Sequence, residues 1–155
     1  MFIDTHSHLF SEYYDDIDEI IDKCKEKNIK RIIVSGVDMK SNMEVLELVN
    51  KYDIVYGSIG VHPTELDDFS YDDLEWLEEH INDNKIVGIG EIGLDYHYDD
   101  TDKNKQYDVL KRQLDIAEKY NKPIVFHSRD AIGDTYNILK EYKLNIDVSY
   151  DYNDE

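Results

Sequence analysis

The sequence predicts an α/β fold of the (β/α) barrel type, and three observations carry that expectation. Short apolar runs alternate with amphipathic segments along the length of the chain. Each run is continuous rather than alternating in hydrophobicity, as in parallel strands buried on both faces. The chemically active side chains fall at or just past the C-terminal ends of these runs, the rim where a barrel of parallel strands gathers its reactive groups. An open doubly wound sheet also uses that rim, but would normally bring a Gly-rich phosphate loop after its first strand. No such loop follows the first run here.

Strands are expected at residues 2–5, 31–35, 54–59, 86–90 and 124–126. After the first, Ile17, Ile20, Ile21 and Cys24 form the apolar stripe of a helix. Ser41, with Glu44 three residues on, reads as a capping box that starts a helix carrying Val45, Leu46 and Val49. Ser70 with Asp73 repeats the signal ahead of Leu74, Leu77 and Ile81, and Tyr107, Leu110, Leu114 and Ala117 form a longer stripe. A last helix starts near Asp130. The order is strand then helix five times over, which predicts parallel strands joined by right-handed crossovers.

With 155 residues, of which 41% are hydrophobic, the chain has material for one core, so a single domain over 1–155 is expected. No basic start leads into a long apolar run, and no stretch approaches the ~20 apolar residues of a membrane helix, so a soluble, cytoplasmic protein with no membrane partner is expected. Cys24 is the single cysteine, lies on a helical apolar stripe and is read as a buried thiol without chemistry. A net charge of -19, from 36 acidic against 17 basic residues, excludes whole-surface attraction to nucleic acid. Local attraction is still available if bound divalent ions bring positive charge into a site.

The chemistry begins with His6 and His8 in Phe2-Ile3-Asp4-Thr5-His6-Ser7-His8-Leu9. Residues two apart on a strand share a face, so both imidazoles can reach one ion. Glu91 and His127 end the fourth and fifth runs. Mixed imidazole and carboxylate ligation suits divalent ions that lower the pKa of a bound water, which makes hydrolysis the natural reaction. Glu91 as a helix cap or surface ion pair is the plainer alternative. His62, in Gly60-Val61-His62-Pro63, is either a turn histidine held extended by the following proline or a donor to a substrate phosphate or carbonyl oxygen. Arg129 either clamps an anionic group bidentately or pairs with Asp130 or Asp134. His80 is expected on a solvated helix face and His97 in a polar loop near the rim.

Four ordered motifs, Phe2-Ile3-Asp4-Thr5-His6-Ser7-His8-Leu9, Gly60-Val61-His62-Pro63, Gly90-Glu91-Ile92-Gly93-Leu94-Asp95-Tyr96 and His127-Ser128-Arg129-Asp130-Ala131, resemble the successive signatures of the TatD family of metal-dependent hydrolases. Gln106, Gln113-Leu114, Ala117 and Pro123 fit the same pattern, so the resemblance runs from residue 1 to about 144. It implies a (β/α)8, metallo-dependent hydrolase-like barrel of the wider amidohydrolase group, with two divalent ions (Mg, Mn or Zn) and DNase activity. It further implies His6 and His8 on the first metal, Glu91 bridging and catalytic, and His127 on the second. His62 and Arg129 would then bind the substrate, and a metal-bound hydroxide would hydrolyse a phosphodiester of DNA.

The sequence also departs from that pattern. The family adds a histidine on a sixth strand and an aspartate after the eighth, whereas no histidine follows His127. A closed barrel takes about 250 residues, and this chain supplies roughly five of eight units. The last residues offer at most a short sixth strand, with Asp147, Asp151 and Asp154 as conceivable substitute ligands. An incomplete barrel leaves unpaired strand edges that favour self-association. Two other readings follow: a metal-dependent ester or amide hydrolase, for example on an aminoacyl ester of RNA, and a non-catalytic remnant completed by a partner.

Overall fold

The computed structural model describes residues 1–142 and, for the backbone, 146–147. Six strands, β1 (Phe2–Ser7), β2 (Ile29–Ser35), β3 (Val55–Ile59), β4 (Ile86–Asp95), β5 (Ile124–Arg129) and β6 (Ile146–Asp147), form one sheet in sequence order. Every neighbouring pair is parallel. Helices α1 (Ile17–Glu26), α2 (Met39–Lys51), α3 (Tyr71–His80), α4 (Lys103–Tyr120) and α5 (Ile132–Leu139) fill the crossovers. This is the barrel-type strand order expected from the sequence, with the short sixth strand also present. Asp151 and Asp154 lie outside the described residues, as does the Asp147 side chain.

Local chemistry explains where the helices begin. Asp16 caps α1 by accepting the Glu19 N–H at 2.9 Å, and Asp102 caps α4 through the Lys105 N–H at 3.0 Å. The Ser70–Asp73 box opens α3 as expected. For α2 the expectation needs correcting: the cap is Asp38, and Ser41 is the third residue of the helix, closing a reciprocal box with Asp38. Asp38 accepts the backbone N–H while the Ser41 hydroxyl accepts in return, so the helix starts a turn earlier than Ser41 alone suggested.

The core is a continuous cluster of strand and helix residues, among them Val34, Val45, Val55, Ile59, Leu77, Ile89 and Leu114, all fully buried. Each such side chain contributes about 1.5–3 kcal/mol on burial. Gly57 lets α2 press onto β3: a Cβ there would lie 2.3 Å from the Val45 side chain. β1 departs from the expectation of strands buried on both faces, with Phe2 67% and Ile3 46% exposed. The physical reason is position: β1 is a sheet edge, paired only with β2 among the described residues.

β4 and β5 run on past the apolar stretches that revealed them, to Asp95 and Arg129. Backbone pairing continues there, Gly93 opposite His127 and Asp95 opposite Arg129, while the side chains turn polar. Glu91 and His127 therefore lie within strands rather than just past them. Gly93 is indispensable to this pairing, because a Cβ on it would sit 1.8 Å from the His127 carbonyl oxygen and its φ is +159°.

Candidate metal centre

Glu91 occupies the middle of β4, 7% exposed, with histidines on both of its oxygens. His6 Nε2 lies 3.2 Å and His8 Nε2 3.5 Å from Oε2. On the other side, His127 Nδ1 lies 3.5 Å and His62 Nε2 4.0 Å from Oε1. His6 and His127 lie within β1 and β5, and His8 and His62 follow β1 and β3; the parallel order of the strands brings the four imidazoles together. Two donor groups result, His6–His8–Glu91 and His62–Glu91–His127, whose ligand atoms lie within 4.8 Å of one another in each group.

The rim backbone that presents these side chains is held largely by β2 and α4. At the end of β2, the Ser35 carbonyl takes His8 Nδ1 at 3.0 Å, and the Gly36 and Val37 carbonyls accept the N–H groups of Glu91 and His62, both at 2.8 Å. A carbonyl can only accept, so His8 carries its proton on Nδ1 and turns a bare Nε2 toward Glu91, the form in which an imidazole binds metal. His62 Nδ1 meets the Thr64 hydroxyl at 2.7 Å, which leaves its Nε2 facing Glu91.

Three buried carboxamides clamp the chain around the site. Asn42, fully buried, donates to the Gly60 carbonyl at 2.8 Å and accepts its N–H at 3.0 Å. Gln113 on α4 does the same for Val61, at 3.0 and 2.8 Å. Gln106 accepts the Asp95 N–H and donates to the carbonyls of Asp95 and Pro63. These bonds satisfy main-chain groups that the rim would otherwise bury unpaired.

Sequence reasoning assigned no role to Asp95 or Asn42. Asp95 is 2% exposed and accepts a hydrogen bond from His127 Nε2 at 2.9 Å. Its place in the Gly90–Tyr96 motif, four residues beyond Glu91 on the same face, is the signal that pointed to it. Asn42 carried no signal, since a lone polar residue on a helix looks solvated until its packing is known.

Arg129 stands apart from the cluster, exposed, with its guanidinium 5.8 Å from the Tyr98 ring centroid. The acids proposed as its alternative partners are engaged elsewhere: Asp130 by His97 at 3.1 Å and Asp134 by the Tyr96 hydroxyl at 3.0 Å. His97 also donates its backbone N–H to Asp95, so it belongs to the rim, and His80 stacks on Trp76 rather than standing free in solvent. Cys24 is half-buried against the core, and burial raises its thiol pKa.

Electrostatics keep the acid ionised. Burial alone would raise the Glu91 pKa, but the imidazoles of His127, His6 and His8 packed around it hold it well below the usual carboxylate range. Burial pushes His62 down to about 4, reinforced by neighbouring His127, so its ring is neutral at pH 7. For His127, burial acts downward, yet the neighbouring Glu91 and Asp95 carboxylates prevail and the ring titrates above its ordinary value. An ionised buried carboxylate shared by imidazole nitrogens fits divalent ions of the zinc or manganese type.

A family model for TatD related DNase matches residues 3–149. The uncharacterized metal-dependent hydrolase YabD of Bacillus subtilis is 42% identical over 142 residues, 91% of this chain and 56% of YabD. Deoxyribonuclease Tat-D of Schizosaccharomyces pombe is 33% identical over 141 residues, 83% of this chain and 45% of its own. The crystal structure of YjjV, a TatD homolog from Escherichia coli, matches with a TM-score of 0.85 at 32% identity, covering 90% of this chain and 55% of that one. The chain spans about half the length of the curated relatives it matches. With the family's pattern running through nearly all of its residues and its fold shared with a solved homolog, the chain belongs to the TatD related DNase family.

Proposed function

We propose that this chain carries the two-metal half-site of a divalent-metal-dependent hydrolase that cleaves phosphodiester bonds in DNA. The observation that supports this reading best is Glu91, a buried carboxylate with His6 and His8 on one oxygen and His62 and His127 on the other. Divalent ions bound there supply an activated water and offset the charge that develops on a phosphoryl group.

The chain's own residues do the rest. Glu91, ionised in place, lies between the two donor groups; His6 and His8 would hold one ion and His127 a second, with Glu91 shared between them. His62 and Arg129 receive the phosphate, His62 through the Nε2 that faces Glu91 and Arg129 from the exposed end of β5. The net charge of -19 favours nucleic-acid ends or small phosphodiesters over long duplex. The relatives' names, metal-dependent hydrolase and deoxyribonuclease, agree with this reading. Among the described residues no helix is long and apolar enough to cross a membrane. The exposed Phe2 and Ile3 on the β1 edge support self-association, which size exclusion over a range of concentrations tests.

Elemental analysis and nuclease assays of wild type and Glu91→Ala test the reading. Two ions per chain in the wild type, with metal and DNA cleavage both lost in Glu91→Ala, are expected. Cleavage that persists in the metal-loaded variant refutes the role of Glu91. Turnover of an aminoacyl ester in preference to DNA and small phosphodiesters would move the substrate class from phosphorus to carbonyl carbon.

A further inference from the structure

We infer that Asp95 is a positioning residue that fixes the tautomer of His127, keeping the Nδ1 lone pair turned on Glu91 and open to a metal ion. The inference rests on the reading of His127 as a ligand. A carboxylate accepts and does not donate, so the 2.9 Å contact from His127 Nε2 to Asp95 Oδ2 requires the proton on Nε2. A neutral imidazole has one proton to place. The competing acceptor, Glu91 Oε1, is 3.5 Å from Nδ1, beyond good hydrogen-bond length, so Asp95 takes the proton and Nδ1 is left bare.

Asp95 is itself locked. Its other oxygen, Oδ1, accepts the His97 N–H at 3.0 Å, and Gln106 holds both its main-chain N–H and carbonyl at 2.9 Å. The side chain is 98% removed from solvent, with 2% exposed. This arrangement has a consequence for Asp95→Asn. The amide oxygen must stay on the His97 N–H, which puts the NH2 opposite His127 Nε2. A donor in that place forces Nε2 to accept and drives the proton to Nδ1, the atom that has to be bare. The shape of the residue is kept and the tautomer is reversed. Asp95→Ala removes the preference without reversing it.

Imidazole 15N NMR on the full, metal-free chain at alkaline pH, with the His127 signals identified by their loss in His127→Gln, tests this directly. The wild type should show a protonated Nε2 and a bare Nδ1, and Asp95→Asn the reverse. A wild-type ring protonated on Nδ1, or an unchanged tautomer in a folded Asp95→Asn, overturns the inference; the wild-type spectrum decides even if the variant fails to fold. Zinc titration gives the second readout: Asp95→Asn should weaken one of two ions about 10- to 100-fold, Asp95→Ala less, with the His6–His8 ion unaffected. A reversed tautomer with both zinc affinities intact overturns the positioning role. A wild type that binds no zinc while its tautomer is as expected refutes instead the metal reading on which the role depends.

Discussion

Gln113→Leu isolates the contribution of the buried clamps. The substitution keeps nearly the same volume at a position 1% exposed, but deletes the acceptor at 2.8 Å from the Val61 N–H and the donor at 3.0 Å from its carbonyl. Val61 is 3% exposed, so water does not replace either partner while the local structure holds. Each orphaned main-chain group costs about 1–3 kcal/mol, which sums to about 2–6 kcal/mol. Domains of this kind have about 5–15 kcal/mol in total, so the variant stays foldable at the lower end. With a urea dependence of about 2 kcal/mol per M, the midpoint should fall by about 1–3 M. Urea unfolding of the metal-free chain followed by circular dichroism measures it, with Gln106→Leu, which orphans three groups, expected to lose at least as much. A loss of about 0.5 kcal/mol or less, as for a surface substitution, would refute the clamp and leave Gln113 as packing alone.

Gly93→Ala should destabilise by about 3 kcal/mol, since its Cβ would overlap the His127 carbonyl and force β4 from β5; thermal melts check this, and a melt like the wild type's would mean the strands are further apart than described. Metal affinity should rise with pH, because the raised pKa of His127 means a proton must leave before that ring can bind; zinc titrations at about pH 6 and about pH 8, read with proton release, check the sign, and an affinity that falls with pH contradicts it. The same shift gives stability without metal the opposite pH dependence: a group whose folded pKa is raised stabilises below its unfolded value, and that contribution is lost as pH rises through the folded one. His62→Gln should raise KM for a phosphodiester while two ions remain bound; a drop to one ion per chain would make His62 a ligand instead.

Much of the fold could be read from local pattern. The strand and helix alternation, the parallel order, the Ser70–Asp73 cap and the short sixth strand all follow from periodicity and capping chemistry, which act within a few residues. Two boundaries moved for reasons local pattern does not contain. β4 and β5 continue as paired backbone after their side chains turn polar, and Asp38 outcompetes Ser41 for the start of α2.

His6, His8, Glu91 and His127 were visible as candidates because imidazoles and carboxylates at strand ends are hard to explain otherwise. Their convergence was decided by tertiary structure, through strand order and register that set which side chains meet across the rim. The partners of the site lie far apart in the chain: Gln113 reaches Val61 over 52 residues, and His127 reaches Asp95 over 32. No spacing rule of a helix or strand spans such distances. The exposure of β1 was likewise beyond its apolar sequence, since burial depends on what lies beside a strand. Local pattern set the elements and the donor types; packing brought four imidazoles around one carboxylate and set Asp95, Asn42, Gln106 and Gln113 to hold the rim, because hydrogen bonding and burial are settled by neighbours in space.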